Sequence, residues 1–141
     1  MRCLALDVGE QRTGVAVGEW LARPLVTVKR RSKSRDFRTI AHLVREHQVE
    51  RLVVGLPLNM DGSMGFQAQR VVRYAEQLKD ALSQMGLEIE LAFWDERLTT
   101  EEASRAMAAS GRGRRNRRER IDAVAAAVIL QSYLDGLVGE T

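Results

Sequence analysis

Apolar positions along this chain switch between two periods. Up to residue 29 they form short runs broken by turn residues. Arg2–Asp7, Thr13–Glu19 and Leu25–Lys29 read as three strands, joined by connections short enough to predict an antiparallel meander. Phe37, Ile40, Ala41 and Val44 then repeat at helical spacing and predict a helix over Arg35–Gln48. Arg51–Leu56 is a β-branched run that Pro57 closes, and Asn59 to Gly65 is a loop by its turn residues. A long helix follows, with Phe66, Val72, Ala75, Leu78, Leu82 and Met85 on one stripe and Gly86 as its stop. Glu88–Trp94 alternates as a strand, with Ile89, Leu91 and Phe93 sharing a face. Thr99 and Glu102 form a capping box for a helix ending near Gly111; an arginine-rich loop then leads to an alanine-rich helix over Ile121–Leu137.

The predicted order is βββαβαβα with a final helix. Strands separated by helices require parallel crossovers, so the expectation is α/β: a mixed five-stranded sheet flanked by helices. Residues 1–141 read as a single domain, with no internal repeat, linker or composition break.

Three acidic positions stand out on this framework. Asp7 ends the first strand, and Gly9 and Gly14 read as turning the backbone into the apolar run Val15 to Val17. Asp95 and Glu96 end the fifth strand, and ligands in open α/β sheets bind at that edge. Alternation sends Asp95 to the side of Phe93 and Glu96 to the side of Trp94; Glu96 is slightly favoured to face Asp7, and the choice stays open. Asp122 begins the stripe that continues through Ala126, Ile129 and Tyr133, a costly place for a carboxylate unless paired or metal-bound. Its simpler role is an N-terminal-turn aspartate stabilised by the helix dipole. Oxygen donors without histidine or cysteine suit Mg²⁺ or Mn²⁺ rather than zinc. His42 and His47 sit on the first helix, remote in sequence from these acids. A carboxylate cluster of this kind positions one or two cations, activates water and stabilises the departing oxyanion of a phosphodiester.

Charge sharpens the choice of substrate. The formal net charge is +3, and basic residues concentrate in Lys29 to Arg38 and in Arg112 to Arg120. Apart from Lys29, Lys33 and Lys79 all of them are arginine, the side chain that grips phosphate bidentately. Arg112, Arg114, Arg115, Arg117 and Arg118 are therefore candidate backbone clamps directly before the Asp122 helix; a mobile polar loop is the simpler alternative. Arg12 and Arg97 are candidates to orient phosphate oxygens or to pair with neighbouring acids. Asn59 and Asp61 sit in a loop able to contact substrate or merely to make a turn, and Thr99 reads as a helix cap rather than a nucleophile. Cys3 is the only cysteine, so no internal disulfide or cysteine-rich zinc site is possible. No run approaches the roughly 20 apolar residues of a membrane span, and the N-terminus lacks a signal-peptide pattern, so a cytoplasmic protein without membrane partners is expected.

Four blocks together carry a resemblance. They are Asp7-x-Gly9-x-x-Arg12-x-Gly14-x-Ala16, Gly55 to Gly62 (GLPLNMDG), Asp95 to Thr100 (DERLTT) and Ile121 to Gln131 (IDAVAAAVILQ). In this order, over nearly the whole chain, they resemble the YqgF/RuvX family of RNase H-like nucleases. The resemblance implies an RNase H-like fold with Asp7, an acid from Asp95-Glu96, and Asp122 as catalytic and metal-binding residues. It further implies a role in maturing the 5′ end of pre-16S rRNA, with pre-ribosomal particles as possible partners, or else resolution of branched DNA at a Holliday junction. A non-catalytic RNA-binding assembly factor is a further alternative. The Asp7-x-Gly9 turn also resembles the phosphate site of sugar-kinase or actin-like phosphotransferases, whose two-domain architecture this chain has no room for. Symmetric junction cutting would ask for a homodimer, whereas RNA trimming is open to a monomer.

Overall fold

The computed structural model describes residues 1–99, 104–105 and 117–139. Strands β1 (Cys3–Val8), β2 (Arg12–Gly18) and β3 (Ala22–Lys29) form the expected antiparallel meander. Helix α1 (Lys33–Glu46) leads to β4 (Arg51–Leu56), helix α2 (Phe66–Gln84) to β5 (Glu90–Asp95), and a 3₁₀ turn spans Glu96–Leu98. The last helix, α3, runs from Arg117 to Gly139 and starts four residues earlier than its apolar pattern suggests. The helix expected to follow Thr99 lies mostly outside the described residues.

The sheet order is β3-β2-β1-β4-β5, with β4 parallel to both β1 and β5. Gly14 is not part of the first turn: it lies within β2, directly opposite Asp7. The turn itself closes through Gly9, whose N–H donates to the Arg12 carbonyl at 2.9 Å.

The sheet buries two unlike faces. Leu4, Leu6, Val15, Val17, Leu52 and Val54 point toward α1 and α2, where Ile40, Val44, Leu78 and Leu82 complete one core. The stripe of α2 is rotated from the expected one: Ala68, Val71 and Tyr74 join Ala75, Leu78 and Leu82 inside, while Phe66 is 86% exposed. Phe66 is the first helical residue, before the stripe reaches the sheet. Gly86 ends α2 as expected: its φ is +84°, and the Leu87 N–H reaches back to the Leu82 carbonyl at 2.8 Å.

The opposite face carries Cys3, Ala5, Ala16 and Val53, and α3 covers it with Ala126, Ala127, Leu130 and Tyr133. Small residues on both sides let helix and sheet approach closely. The segment Ile121–Val138 is long and apolar enough to cross a membrane by length and composition, contrary to the expectation that no such run exists. Here its apolar side is spent on the sheet, where Ala123, Ala126, Ala127 and Leu130 are buried.

The approach is tightest at Gly14, where a β-carbon would overlap the Asp122 carbonyl. A Gly14→Ala substitution must therefore push α3 off β2. Urea denaturation is expected to show a loss of about 3 kcal/mol or more, at the upper end for overpacked cores.

Candidate active site

Alternation along β1 puts Asp7 on the α3 face, with Cys3 and Ala5. Ala92 and Trp94 lie on that face of β5, and the chain continues from them into Glu96. Strand β4 separates β1 from β5, so the two carboxylates should be far apart. They meet because β4 presents Gly55 between them, where an added β-carbon would lie 2.7 Å from Glu96 Oε1 and 2.6 Å from Ile129 Cδ1. Asp7 and Glu96 are hydrogen-bonded to each other.

Asp122 arrives from the third direction. Its helix settles on Gly14, the cross-strand neighbour of Asp7, close enough for its charge to be felt there. Its carboxylate accepts a 2.7 Å hydrogen bond from Arg12 Nε, an ion pair with both side chains only partly exposed. Asp7, Glu96, Thr99, Ser104, Ala125, Val128 and Ile129 line a cleft of about 310 Å³.

The electrostatics follow from this crowding. Burial first, then the charge of Asp122, push the Asp7 carboxyl above the ordinary carboxylate range, against a lowering by its bond to Glu96. Glu96 is pushed up to about 7 by burial first, then by the Asp7 charge, the hydrogen bond to Asp7 and the Asp95 charge. That bond favours the ionised form of Asp7 and the protonated form of Glu96, so Glu96 donates. The two carboxyls titrate as one coupled pair.

Asp95 has a different role. It ends β5 on the face of Leu91 and Phe93, its Oδ1 accepts from the Arg97 N–H at 2.9 Å, and its Oδ2 accepts from Arg97 Nη2 at 2.7 Å. These bonds hold its pKa down. Arg97 also donates to the Met60 carbonyl at 3.1 Å. Asp95 thus caps the turn that carries Glu96 and ties it to the loop after β4. From the other side, Ser132 accepts a bond from Trp94 Nε1 at 2.9 Å and donates to the Leu98 carbonyl at 3.0 Å. Thr99 donates to the Glu96 carbonyl at 2.8 Å.

The remaining candidates divide. Asn59 and Asp61 build their own turn: Asn59 Nδ2 and the Ser63 hydroxyl lie 2.9 Å apart, and Asp61 accepts from the Ser63 N–H at 2.9 Å. Arg117 and Arg118 open α3, while Arg112, Arg114 and Arg115 lie outside the described residues. Gly14 and Gly55 were not recognised from sequence as site residues. Glycine inside a strand is the available signal, because it marks a close approach from outside the sheet.

The donor set suits a hard divalent cation in type. Asp7 and Glu96 stand together, but Asp122 is turned onto Arg12. Among the described residues, no three His, Cys, Asp or Glu side chains are grouped closely enough to hold one ion. Two of the expected ligands are assembled, and the third is held by an arginine.

A mixed sheet of this order, with acids at its carboxyl edge beneath the start of the last helix, places the protein in the RNase H-like class. Thermus thermophilus RuvC in complex with a Holliday junction substrate superimposes with a TM-score of 0.66 at 12% identity, covering 99% of this chain and 96% of that one. The fowlpox virus resolvase with Holliday junction DNA gives 0.59 at 9% identity, covering 98% and 99%. Residues 1–136 match the family described as "RuvX: Holliday junction resolvase". Relatives named "Putative pre-16S rRNA nuclease" include one from Thermoanaerobacter pseudethanolicus, 44% identical over 139 residues and 96% of each chain. Another, from Syntrophus aciditrophicus, is 46% identical over 143 residues, 99% of this chain and 92% of the relative. The chain belongs to the RuvX family.

The raised pKa of Glu96 has a measurable sign. Folded protein binds more protons here than unfolded protein, whose glutamate titrates near 4.5. The associated stability is complete below that value and lost as pH rises through about 7. Without added metal, the melting temperature is expected to decline from pH 5 to pH 8, and Glu96→Gln to flatten that decline. Parallel wild-type and variant curves would refute the shared proton.

Proposed function

We propose that this protein is a divalent-metal-dependent nuclease that processes precursor 16S rRNA in the cytoplasm, engaging it as naked RNA or within pre-ribosomal particles. The observation that carries this reading is the Asp7–Glu96 pair, brought together across Gly55 at the floor of an open cleft, with Asp122 alongside. Half-buried acids held this close are costly, and such costs concentrate at functional sites. Full-length relatives named for pre-16S rRNA support the substrate.

Asp7, Glu96 and Asp122 would hold Mg²⁺ or Mn²⁺, which when bound supplies an activated water and neutralises charge developing on the phosphate. The chain's own groups perform the rest. Ionised, Glu96 would present a second carboxylate to the cleft beside Asp7. The Arg12 guanidinium, which here pairs with Asp122, would be able to bind a phosphate oxygen in its place. Asp95 and Arg97 hold the Glu96 turn in place, and the arginines from Arg112 to Arg118 clamp the backbone entering the cleft. Asn59 borders the Arg97 contact and orients that loop toward substrate.

Branched DNA is the second reading, favoured by the description of the matched family. One experiment separates the readings: labelled precursor rRNA and a mobile four-way DNA junction, each incubated with protein in Mg²⁺, Mn²⁺ or chelator. Asp7→Asn and Glu96→Gln are expected to lower metal-dependent cleavage by at least about 100-fold while nucleic-acid binding persists. Asp95→Asn is expected to retain most activity, because its carboxylate faces Arg97. Preferential cutting of the junction would replace rRNA by branched DNA. Binding with no cutting of either substrate would point to an assembly factor.

A further inference from the structure

The basic run from Lys29 to Arg38 has no part in the chemistry above, yet it starts at the edge of the sheet that carries Asp7. Lys29 ends β3 opposite Arg12, and the Arg30 N–H donates to the Gln11 carbonyl at 2.9 Å. The Arg30 side chain folds back over the β1–β2 turn. Its Nη1 donates to the Gly9 carbonyl at 2.9 Å, and its guanidinium carbon sits 4.9 Å from the centre of the Tyr74 ring. Arg30 is therefore fixed in place, with hydrogen-bonding capacity left over.

Helix α2 forms the facing wall. Arg70 reaches Glu10 at 3.3 Å, with side-chain exposures of 57% and 79%. Two helical turns further on, Gln77 accepts from Lys33 Nζ at 2.6 Å. Arg70 and Gln77 both point toward the β1–β2 turn and the start of α1, so exposed Arg73 between them lies on the same stripe. The pair with Glu10 is an exposed one, worth little and readily exchanged for another anion. Val8, Gly9, Glu10, Arg30, Gln67 and Arg70 border a recess of about 60 Å³, only two residues from Asp7 along the chain.

We propose that this recess is a phosphate seat for the nucleic-acid backbone, separate from the acidic cleft. Arg30 and Arg70 grip one phosphate, and Arg73 on α2 and Lys33 at the start of α1 continue the track. The stretch from Arg70 to Gln77 measures about 10 Å at 1.5 Å per residue, long enough to follow a strand past a single phosphate. The ligand is a phosphodiester chain rather than a free phosphate, because the cationic groups form a line instead of closing around one ion. The seat holds the strand on the α1–α2 side of the β1–β2 turn, while the cleft on the α3 side receives the reacting phosphate. This assignment rests on the nuclease reading for its choice of polyanion.

The test is the salt dependence of binding to the same precursor rRNA and four-way junction, in chelator so that nothing is cut. Arg70→Gln with Arg73→Gln is expected to weaken binding about 10-fold at 0.15 M salt. It should also make the log–log salt slope shallower by about 1.4 to 1.8, the value of two lost phosphate contacts. Lys79→Gln, on the opposite side of α2, should leave both quantities at wild-type values. Circular dichroism melts would confirm that both variants fold.

A wild-type slope in the double variant overturns the seat, whether or not the protein cuts. Equal losses in Lys79→Gln also overturn it, since general charge would then suffice. A shallower slope in the double variant alone supports the seat even if no substrate is cleaved, the outcome in which the nuclease reading fails by itself. Wild-type protein that binds neither nucleic acid overturns both.

Discussion

Everything at the site depends on how closely α3 approaches the sheet. The contact is backbone on backbone: the first turns of the helix rest on β2 at Gly14, and further along alanines face Cys3, Ala5, Ala16 and Val53. A face built from leucine and valine, like the one under α1 and α2, would hold the helix farther away. Asp122 would then lie beyond the reach of Asp7. The asymmetry of the two cores is thus what brings the acids together: one face is packed for bulk, the other for proximity.

Proximity creates an electrostatic problem that the protein answers in two ways. Between Asp7 and Glu96 the answer is a proton, retained because burial and mutual charge make double ionisation costly. At Asp122 the answer is the Arg12 guanidinium, which sits on the strand adjoining β1. Each answer is reversible. Asp7, Glu96 and Asp122 would hold a divalent cation in place of the proton and the guanidinium.

Much of this was legible in the sequence, for identifiable reasons. The strands and their order followed from short apolar runs alternating with helical spacing, and β4 was bounded correctly because Pro57 stops it. Asp7, Glu96 and Asp122 stood out because each ends or begins an element where a carboxylate is not needed for folding. Whether Asp95 or Glu96 faced Asp7 stayed open, because alternation assigns faces only once something says which face each helix covers. The contrast between Cys3-Ala5 and Leu4-Leu6 carries that information, since an alanine-rich helix needs small partners. Gly14 was misplaced in a turn because glycine signals turns and close approaches alike. The offset stripe of α2 arose because Phe66 looks like a core residue in composition, whereas only its position at the helix start decides its exposure. The Arg12–Asp122 pair joins residues with no local pattern linking them, and only the docked helix reveals it.

The contact at Gly14 also sets an order in time. Asp7 belongs to the first strand and Asp122 to the last described helix, so their meeting closes a very long loop in the chain. Contacts of such separation form after local structure, because the closure entropy must be met first. During synthesis from the N-terminus, the sheet can pair and α1 and α2 can cover their face while the other face is still bare. At that stage the chain already contains Asp7 and Glu96 but lacks the helix that completes their surroundings. Docking of α3 thus follows the pairing of the sheet, and it is also what brings Asp122 up to Asp7.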